Sequence, residues 1–356
     1  MSSRPARGAT RNDVSTRFNL PAREMDGDWL DDREAIDGEA PPVRTTVTVE
    51  RPRTIITRNS SPDVPFDRSI NPYRGCEHGC IYCFARPSHA YHDLSPGIDF
   101  ETRLFAKPDA AALLRAELGK PGYVVRPMAF GTNTDVYQPI EREWRITRDL
   151  IELLAETQHP LTITTKTDRV VRDIDLLAPM ARKGLAVVCV SVTSLDPKTA
   201  MTLEPRAPAP AKRLAAVKAL SDAGVPTYVS IAPVVPHVTD GELEAILEGA
   251  AAAGARGAFF IPVRLPWEVA PLFEAWLDTH YPDRKGKVMA TIRSLRGGRN
   301  NDPDFFTRMQ GQGVWADLFR TRFRLACRRL GLTGERYQLR SDLFRPPAGP
   351  QGELFG

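Results

Sequence analysis

The segment Asn71–Phe84 reads NPYRGCEHGCIYCF and puts Cys76, Cys80 and Cys83, three of the chain's five cysteines, within eight residues. Thiolates held that close on one short loop are soft ligands, suited to zinc or to an iron–sulfur cluster. A closed structural zinc site wants a fourth ligand and usually draws on two Cys-x2-Cys pairs. Cys189 and Cys327 are remote in the chain and belong to no such pair, so zinc would have to be completed by a histidine, with His78, His89 and His92 nearby. A cubane cluster takes the same three thiolates differently. It has one iron more than they can hold, and that iron stays open to a small molecule. Gly75 and Gly79 allow the loop to curl tightly, and Tyr82 sets an aromatic ring beside the third cysteine.

The loop must be held by something, and the flanking chain has a regular pattern. Short β-branched runs at 123–130, 161–166, 185–192, 226–234 and 257–263 alternate with helical patterns at 141–157, 168–183, 210–224 and 241–254. In the last two, apolar residues recur at helical spacing and each helix ends at a glycine. A further strand just before Cys76 makes six. Strands separated by helices imply parallel βαβ units with right-handed crossovers. The expected fold is therefore α/β, a partial (β/α)6 TIM-like barrel with its ligands at the C-terminal strand ends. A doubly wound open sheet is the alternative, since periodicity alone does not close a barrel. Around this core at 61–283 lie an N-terminal arm at 1–60, read as extended and partly disordered, with a short strand pattern at 45–57 broken by Pro52. A basic helical extension follows at 284–345, and a flexible Pro/Gly-rich tail at 346–356.

Composition narrows the class. Hydrophobic residues at 42% and charged residues at 26% are ordinary for a globular protein. No apolar run is long enough for a bilayer, and the first residues lack the apolar stretch of a secretory signal, which places the expectation in the cytoplasm and off the membrane. Reduced thiols there are available for metal rather than for a disulfide framework. The net charge of +4 is unevenly spread: residues 24–39 hold eight carboxylates against one arginine, whereas 284–345 hold fifteen Lys/Arg against five Asp/Glu. A local basic excess points to a polyanionic partner, and nucleic acid is the expected one for 284–345; a solvated basic face is the plainer reading.

Cys-x3-Cys-x2-Cys with an aromatic before the last cysteine resembles the radical SAM superfamily. That resemblance implies a 4Fe–4S cluster on Cys76, Cys80 and Cys83 whose free iron binds S-adenosylmethionine (SAM). It also implies an external electron donor such as a flavodoxin or ferredoxin, and reductive cleavage to a 5′-deoxyadenosyl radical that abstracts a substrate hydrogen. Residues 68–236 are similar to the spore photoproduct lyase-like branch through GTNTDVYQPIE (131–141), TTKTD (164–168), VSVTSLD (190–196) and the stretch 203–236. The resemblance assigns Thr134, with Asn133, to the SAM amino group, Lys166 to its carboxylate and Ser191 to the neighbourhood of the ribose, with Thr193 and Tyr82 beside them. Independently of any family, a lysine flanked by threonines at a strand end suits a carboxylate. Glu204, Arg206 and Arg213 read as ion-pair partners of one another, and no residue is assigned as catalytic. Where the branch has a cysteine that returns a hydrogen atom to its product radical, this chain has Thr132.

At the other end, QGELF (351–355) resembles the pentapeptide with which bacterial proteins dock on the sliding clamp. The expectation is a radical SAM enzyme, lyase-like or nucleic-acid-modifying and placed in DNA repair, whose substrate is DNA or RNA. The alternatives are a radical SAM enzyme on a protein or small molecule, and a zinc-stabilised nucleic-acid-binding protein without catalysis.

Overall fold

The computed structural model describes residues 7–18, 44–332 and 337–347. Six parallel strands run side by side in chain order: β1 (Arg68–Ile70), β2 (Met128–Phe130), β3 (Leu161–Thr165), β4 (Ala186–Ser191), β5 (Thr227–Val234) and β6 (Gly257–Pro262). A seventh strand, Ile56–Arg58, pairs antiparallel with the outer edge of β1. A doubly wound sheet reverses its strand order at a switch point. Here the order never reverses, so every crossover steps the same way around and the sheet is a partial (β/α)6 barrel. The central strands are the apolar ones: all six residues of β4 are buried, as expected of a parallel strand covered on both faces.

The longer helices are α1 (Ala110–Leu118), α2 (Ile146–Glu156), α3 (Ile174–Arg182), α4 (Pro210–Asp222), α5 (Leu243–Ala252), α6 (Val269–His280), α7 (Lys285–Leu295) and α8 (Gly313–Leu330). The pattern at 141–157 predicts one helix, but Arg145 takes a φ of 51° and splits it into Glu141–Trp144 and α2. The break is held by Glu141. Its buried carboxylate accepts the amides of Thr147 at 3.0 Å and Arg148 at 3.3 Å, capping the bare first turn of α2. The strand expected at 123–130 is shortened to Met128–Phe130, because Pro127 has no N–H for the ladder.

Helix α8 carries much of the basic sequence and lies across β6, against α5 and α7, where Phe323 meets Phe260 with ring centroids 4.9 Å apart. It covers the free edge of the last strand, a position a barrel of only six strands leaves open. Residues 337–347 then run beneath the barrel at the N-terminal ends of its strands. Arg256 stacks over Tyr337, the Arg340 amide donates to Gly184 O at 2.9 Å, and the Arg345 amide donates to Thr157 O at 2.9 Å. Phe344 packs against Tyr123 and His159. The acidic stretch 24–39 and the pentapeptide 351–355 lie outside the described residues. Among the described residues no helix is long and apolar enough to cross a membrane.

Candidate active site

The cysteine loop leaves a small second sheet. Tyr73–Arg74 pairs antiparallel with Arg103–Ala106, which in turn pairs parallel with Thr46–Val49. Beyond it the backbone folds into successive tight turns, Gly79 N to Cys76 O at 3.3 Å, Cys83 N to Cys80 O at 3.2 Å and Arg86 N to Cys83 O at 3.2 Å, so that each cysteine opens a turn. Gly79 sits at φ +67°, where a Cβ would also lie 2.8 Å from Glu101 Oε2. The loop is held from behind by Arg86, which is fully buried. Its guanidinium donates to Cys80 O at 2.9 Å, Gly79 O at 2.9 Å, Pro96 O at 3.0 Å and Gly97 O at 2.9 Å, and pairs with Glu101 at 2.6 Å. Glu101 completes the support by accepting the amides of Gly8 at 3.0 Å and Ala9 at 2.8 Å. The N-terminal segment thus lies directly on the loop, so close that a Cβ on Gly8 would sit 1.7 Å from Gly79 O.

The polar groups expected at the strand ends arrive on the same side. After β2, Asn133 N donates to Asn71 Oδ1 at 3.1 Å and Thr134 Oγ1 donates to Tyr73 O at 3.2 Å, tying this turn to the chain that enters the cysteine loop. Asp135 then accepts from Thr165 Oγ1 at 2.8 Å and from the Lys166 amide at 2.7 Å, which locks the end of β2 to the end of β3. Beyond β4, Thr193 Oγ1 donates to Glu204 Oε1 at 2.8 Å. The same carboxylate accepts from Tyr82 OH, pairs with Arg213 and stands 3.7 Å from Lys166 Nζ. Lys166 Nζ also reaches Ala232 O of β5 at 3.5 Å and lies 5.7 Å from the centre of the Tyr82 ring.

Tyr82, Lys166 and Thr193 therefore meet in one buried network, and Asn133 and Thr134 join it through the Asp135 turn. Ser191 is buried at the end of β4, where its carbonyl accepts from Arg213 Nη1 at 3.3 Å; its hydroxyl has no hydrogen-bond partner among the described residues. Two carboxylates at the centre were not assigned from sequence. Asp135 lies inside the 131–141 segment. Glu204 reads as an ion-pair partner, which it is for Arg213, while Arg206 pairs instead with Glu77 at 3.0 Å. Thr132 hydrogen-bonds with Asn71 at 3.4 Å. Cys189 is buried within β4, and burial pushes its thiol up to about 12, as befits a small apolar filler.

Electrostatics bear on what the thiols can hold. Burial raises Cys76 most, and the charges of Asp135, Cys80 and Cys83 raise it further; burial and then Glu204 raise Cys80; burial raises Cys83. Clustered, desolvated thiols beside carboxylates ionise only if a cationic centre shares their cavity, and soft iron suits the set. Backbone amides ease the ionisation of two of the thiols, that of Asp135 for Cys76 and those of Ala85 and Arg86 for Cys83. The residues present fit an iron–sulfur group. No histidine joins them. His78 Nδ1 faces Asp135 at 3.4 Å, His89 Nε2 lies 2.9 Å from Arg103 O, and the His92 ring stacks 4.8 Å from Phe105. Among the described residues no three His, Cys, Asp or Glu side chains, the three thiols included, are grouped closely enough to hold a single metal ion as they stand.

A family model described as the Radical SAM superfamily matches residues 70–250, just over half of the chain. An uncharacterized protein of Mycobacterium tuberculosis is 40% identical over 222 residues, 62% of this chain and 65% of that one, so the match spans just under two thirds of the relative. A variant of spore photoproduct lyase superposes with a TM-score of 0.57 at 16% identity, covering 88% of this chain and 86% of the other. Spore photoproduct lyase complexed with its dinucleoside spore photoproduct gives 0.56 at 17% identity, over 80% and 79%. At such identities the likeness is one of fold.

Proposed function

This chain belongs to the radical SAM superfamily and is an enzyme of that type; on that premise we propose that Cys76, Cys80 and Cys83 hold a 4Fe–4S cluster with one iron open to SAM. Bound there, the cluster supplies the electron that cleaves SAM to methionine and a 5′-deoxyadenosyl radical, which takes a hydrogen atom from the substrate. The observation that carries this reading is the arrival of the polar ends of β2, β3 and β4 beside a loop of three turn-opening thiols, Cys76 and Cys80 buried and Cys83 half-buried. Lys166 is the cation for the SAM carboxylate: its ammonium already stands 3.7 Å from one carboxylate, Glu204, inside a mostly buried site where charge pairing is strong. Thr134 and Asn133 flank the amino group, and Ser191 and Thr193 the ribose. Tyr82, fixed by Glu204 and Thr193, walls the site beside the third thiol. Arg86 and the N-terminal segment seal the loop's far side from water.

We assign the substrate to nucleic acid, DNA or RNA. The support is the basic sequence of 284–345 and the fold shared with a spore photoproduct lyase complexed with dinucleoside spore photoproduct. The hydrogen returned to the product is not drawn from position 132, because the Thr132 O–H bond is too strong to give up a hydrogen atom as a thiol does. The reaction is therefore a relative of photoproduct reversal rather than that reaction. The electron donor is a flavodoxin or ferredoxin, and the pentapeptide Gln351–Phe355 docks on the sliding clamp; deleting 351–356 abolishes clamp pull-down if this is right, and unchanged capture overturns it.

The test is anaerobic reconstitution with iron and sulfide, followed by reduction with SAM, with and without oligonucleotides. Formation of 5′-deoxyadenosine by the parent and its loss in Cys76→Ala, Cys80→Ala and Cys83→Ala is the expected result. Stoichiometric zinc with no SAM cleavage overturns the reading. Deuterium carried from labelled DNA or RNA into 5′-deoxyadenosine identifies the substrate class, and its absence moves the substrate to a protein or small molecule.

A further inference from the structure

Six aromatic side chains are exposed among the described residues, and five of them, Phe84, Tyr91, Trp267, Phe305 and Phe306, stand on segments that meet at the C-terminal end of the barrel. Phe84 follows Cys83 directly, Tyr91 lies on the turn after it, and Trp267 follows the end of β6 by five residues. Exposure is large: 65% for Trp267 and 58% for Phe306. Both also occupy left-handed backbone, φ 45° and 68°, where a bulky residue is strained. A fold that needed only to bury these rings would neither expose them nor strain the chain to do so.

Arginines are interleaved with the rings. Arg17 lies 4.7 Å from the Trp267 centroid and 5.8 Å from that of Tyr91; Arg264 lies 4.9 Å from Phe84, and Arg308 lies 4.8 Å from Phe305. Arg17 is paired with Glu268, and Arg308 with Asp63. Arg264 makes no ion pair among the described residues; burial disfavours its charge first, Arg308 adds to that and Asp63 offsets it. A half-buried cation without a paired carboxylate is a place where an incoming phosphate gains most.

We propose that this rim is a stacking platform for single-stranded nucleic acid, the bases lying on Trp267, Phe306 and Phe84 while Arg264 takes a backbone phosphate. The inference rests on the nucleic-acid reading above and sharpens it, since the strand is recognised unpaired. Exposed rings alternating with arginine planes suit unstacked bases of any sequence, whereas a duplex hides those faces. The rim borders the cysteine loop through Phe84, so a strand lying on it passes over the site where hydrogen is abstracted.

The experiment measures fluorescence anisotropy of labelled oligothymidylate and oligouridylate of about 12 nucleotides, and of a duplex of equal length, on the reconstituted full chain. Expected is preference for single strands over duplex, with Trp267→Ala and Phe306→Ala each weakening them by about tenfold and Trp267→Phe restoring most of the loss. The two single-stranded arms decide between DNA and RNA. SAM cleavage without oligonucleotide is read on the same samples and stays unchanged in these variants. Equal affinity for duplex, or single-strand binding indifferent to Trp267 and Phe306, overturns the rim while leaving nucleic acid as the substrate. No binding to any oligonucleotide overturns both. A Trp267→Ala protein that fails to fold leaves Phe306→Ala and Trp267→Phe to decide.

Discussion

Glu204 concentrates more interactions than any cysteine. Burial opposes its ionisation, yet Arg213 and Lys166, with the Tyr82 hydroxyl, hold its carboxyl down to about 2. A carboxyl held below its unfolded value of about 4 stabilises the fold at neutral pH and ceases to do so as the pH falls from there toward 2. The expected contribution is on the order of 3 kcal/mol. Urea midpoints of the parent should therefore fall most steeply between about pH 4 and pH 2, and Glu204→Gln should flatten that part of the curve while lowering stability at pH 7 by about 3 kcal/mol, because Arg213 is left buried and uncompensated. A second substitution separates position from charge: Asp135→Ala frees Thr165 Oγ1 and the Lys166 amide together and is expected to cost about 2 kcal/mol in stability. It should also raise the SAM concentration needed for half-maximal cleavage, because Lys166 loses its anchor. Tyr82, Lys166 and Thr193 were named from the family resemblance, with an independent chemical reason only for Lys166, and the structure brings the three side chains near one another. Glu204 was visible only as a charge, since nothing local says that an acid lying eleven residues beyond Thr193 turns back under the cysteine loop.

The elements read well where periodicity is long and poorly where a single buried group decides. Four of the six strands fell within a residue of their sequence-based bounds, whereas the helix at 141–157 was cut by Glu141, whose role as a cap depends on Tyr73 and Arg172 from distant turns. The strap at 337–347 carries no periodic signal at all; its hydrogen bonds go to loop carbonyls, and a short run of mixed polarity does not announce such partners. Phe344→Ala is expected to cost about 1–2 kcal/mol, the ring being half-buried, with thermal melting as the readout. The strap is also acid-sensitive. His159, which packs against Phe344, is held neutral by burial with its pKa pushed down to about 4. Its contribution is present above its unfolded value near 6.5 and is lost as the pH falls from there toward 4. Amide exchange of Arg345, bonded to Thr157 O, should accelerate over that interval before the barrel itself opens. At the opposite face, Gly8→Ala drives a methyl group into Gly79 O and should release residues 7–18, seen as faster trypsin cleavage at Arg11 and lower iron content after reconstitution.

At the scale of the molecule the strand order settles what the strand count left open, since six parallel strands serve a barrel or a doubly wound sheet equally until their sequence of neighbours is known. Charge is where the whole differs most from its sum. Of the basic residues in 284–345, seven of the described ones are tied to carboxylates: Lys285, Arg293, Arg308, Arg320, Arg322, Arg329 and Arg340. Arg296 is buried among backbone carbonyls. The number of phosphates such a surface neutralises is small, so the logarithm of affinity should fall against the logarithm of salt with a slope of about −2 to −4, measured by anisotropy across a salt series. A slope near −10 would mean that the paired arginines let go of their partners. Finally, the segment that covers the cysteine loop is translated before the residues it holds. Gly8 and Ala9 wait for Glu101, and Ser15 and Arg17 wait for Glu268. On the ribosome the cysteine loop would therefore stay without this cover until Glu268, just beyond the sixth strand, has emerged.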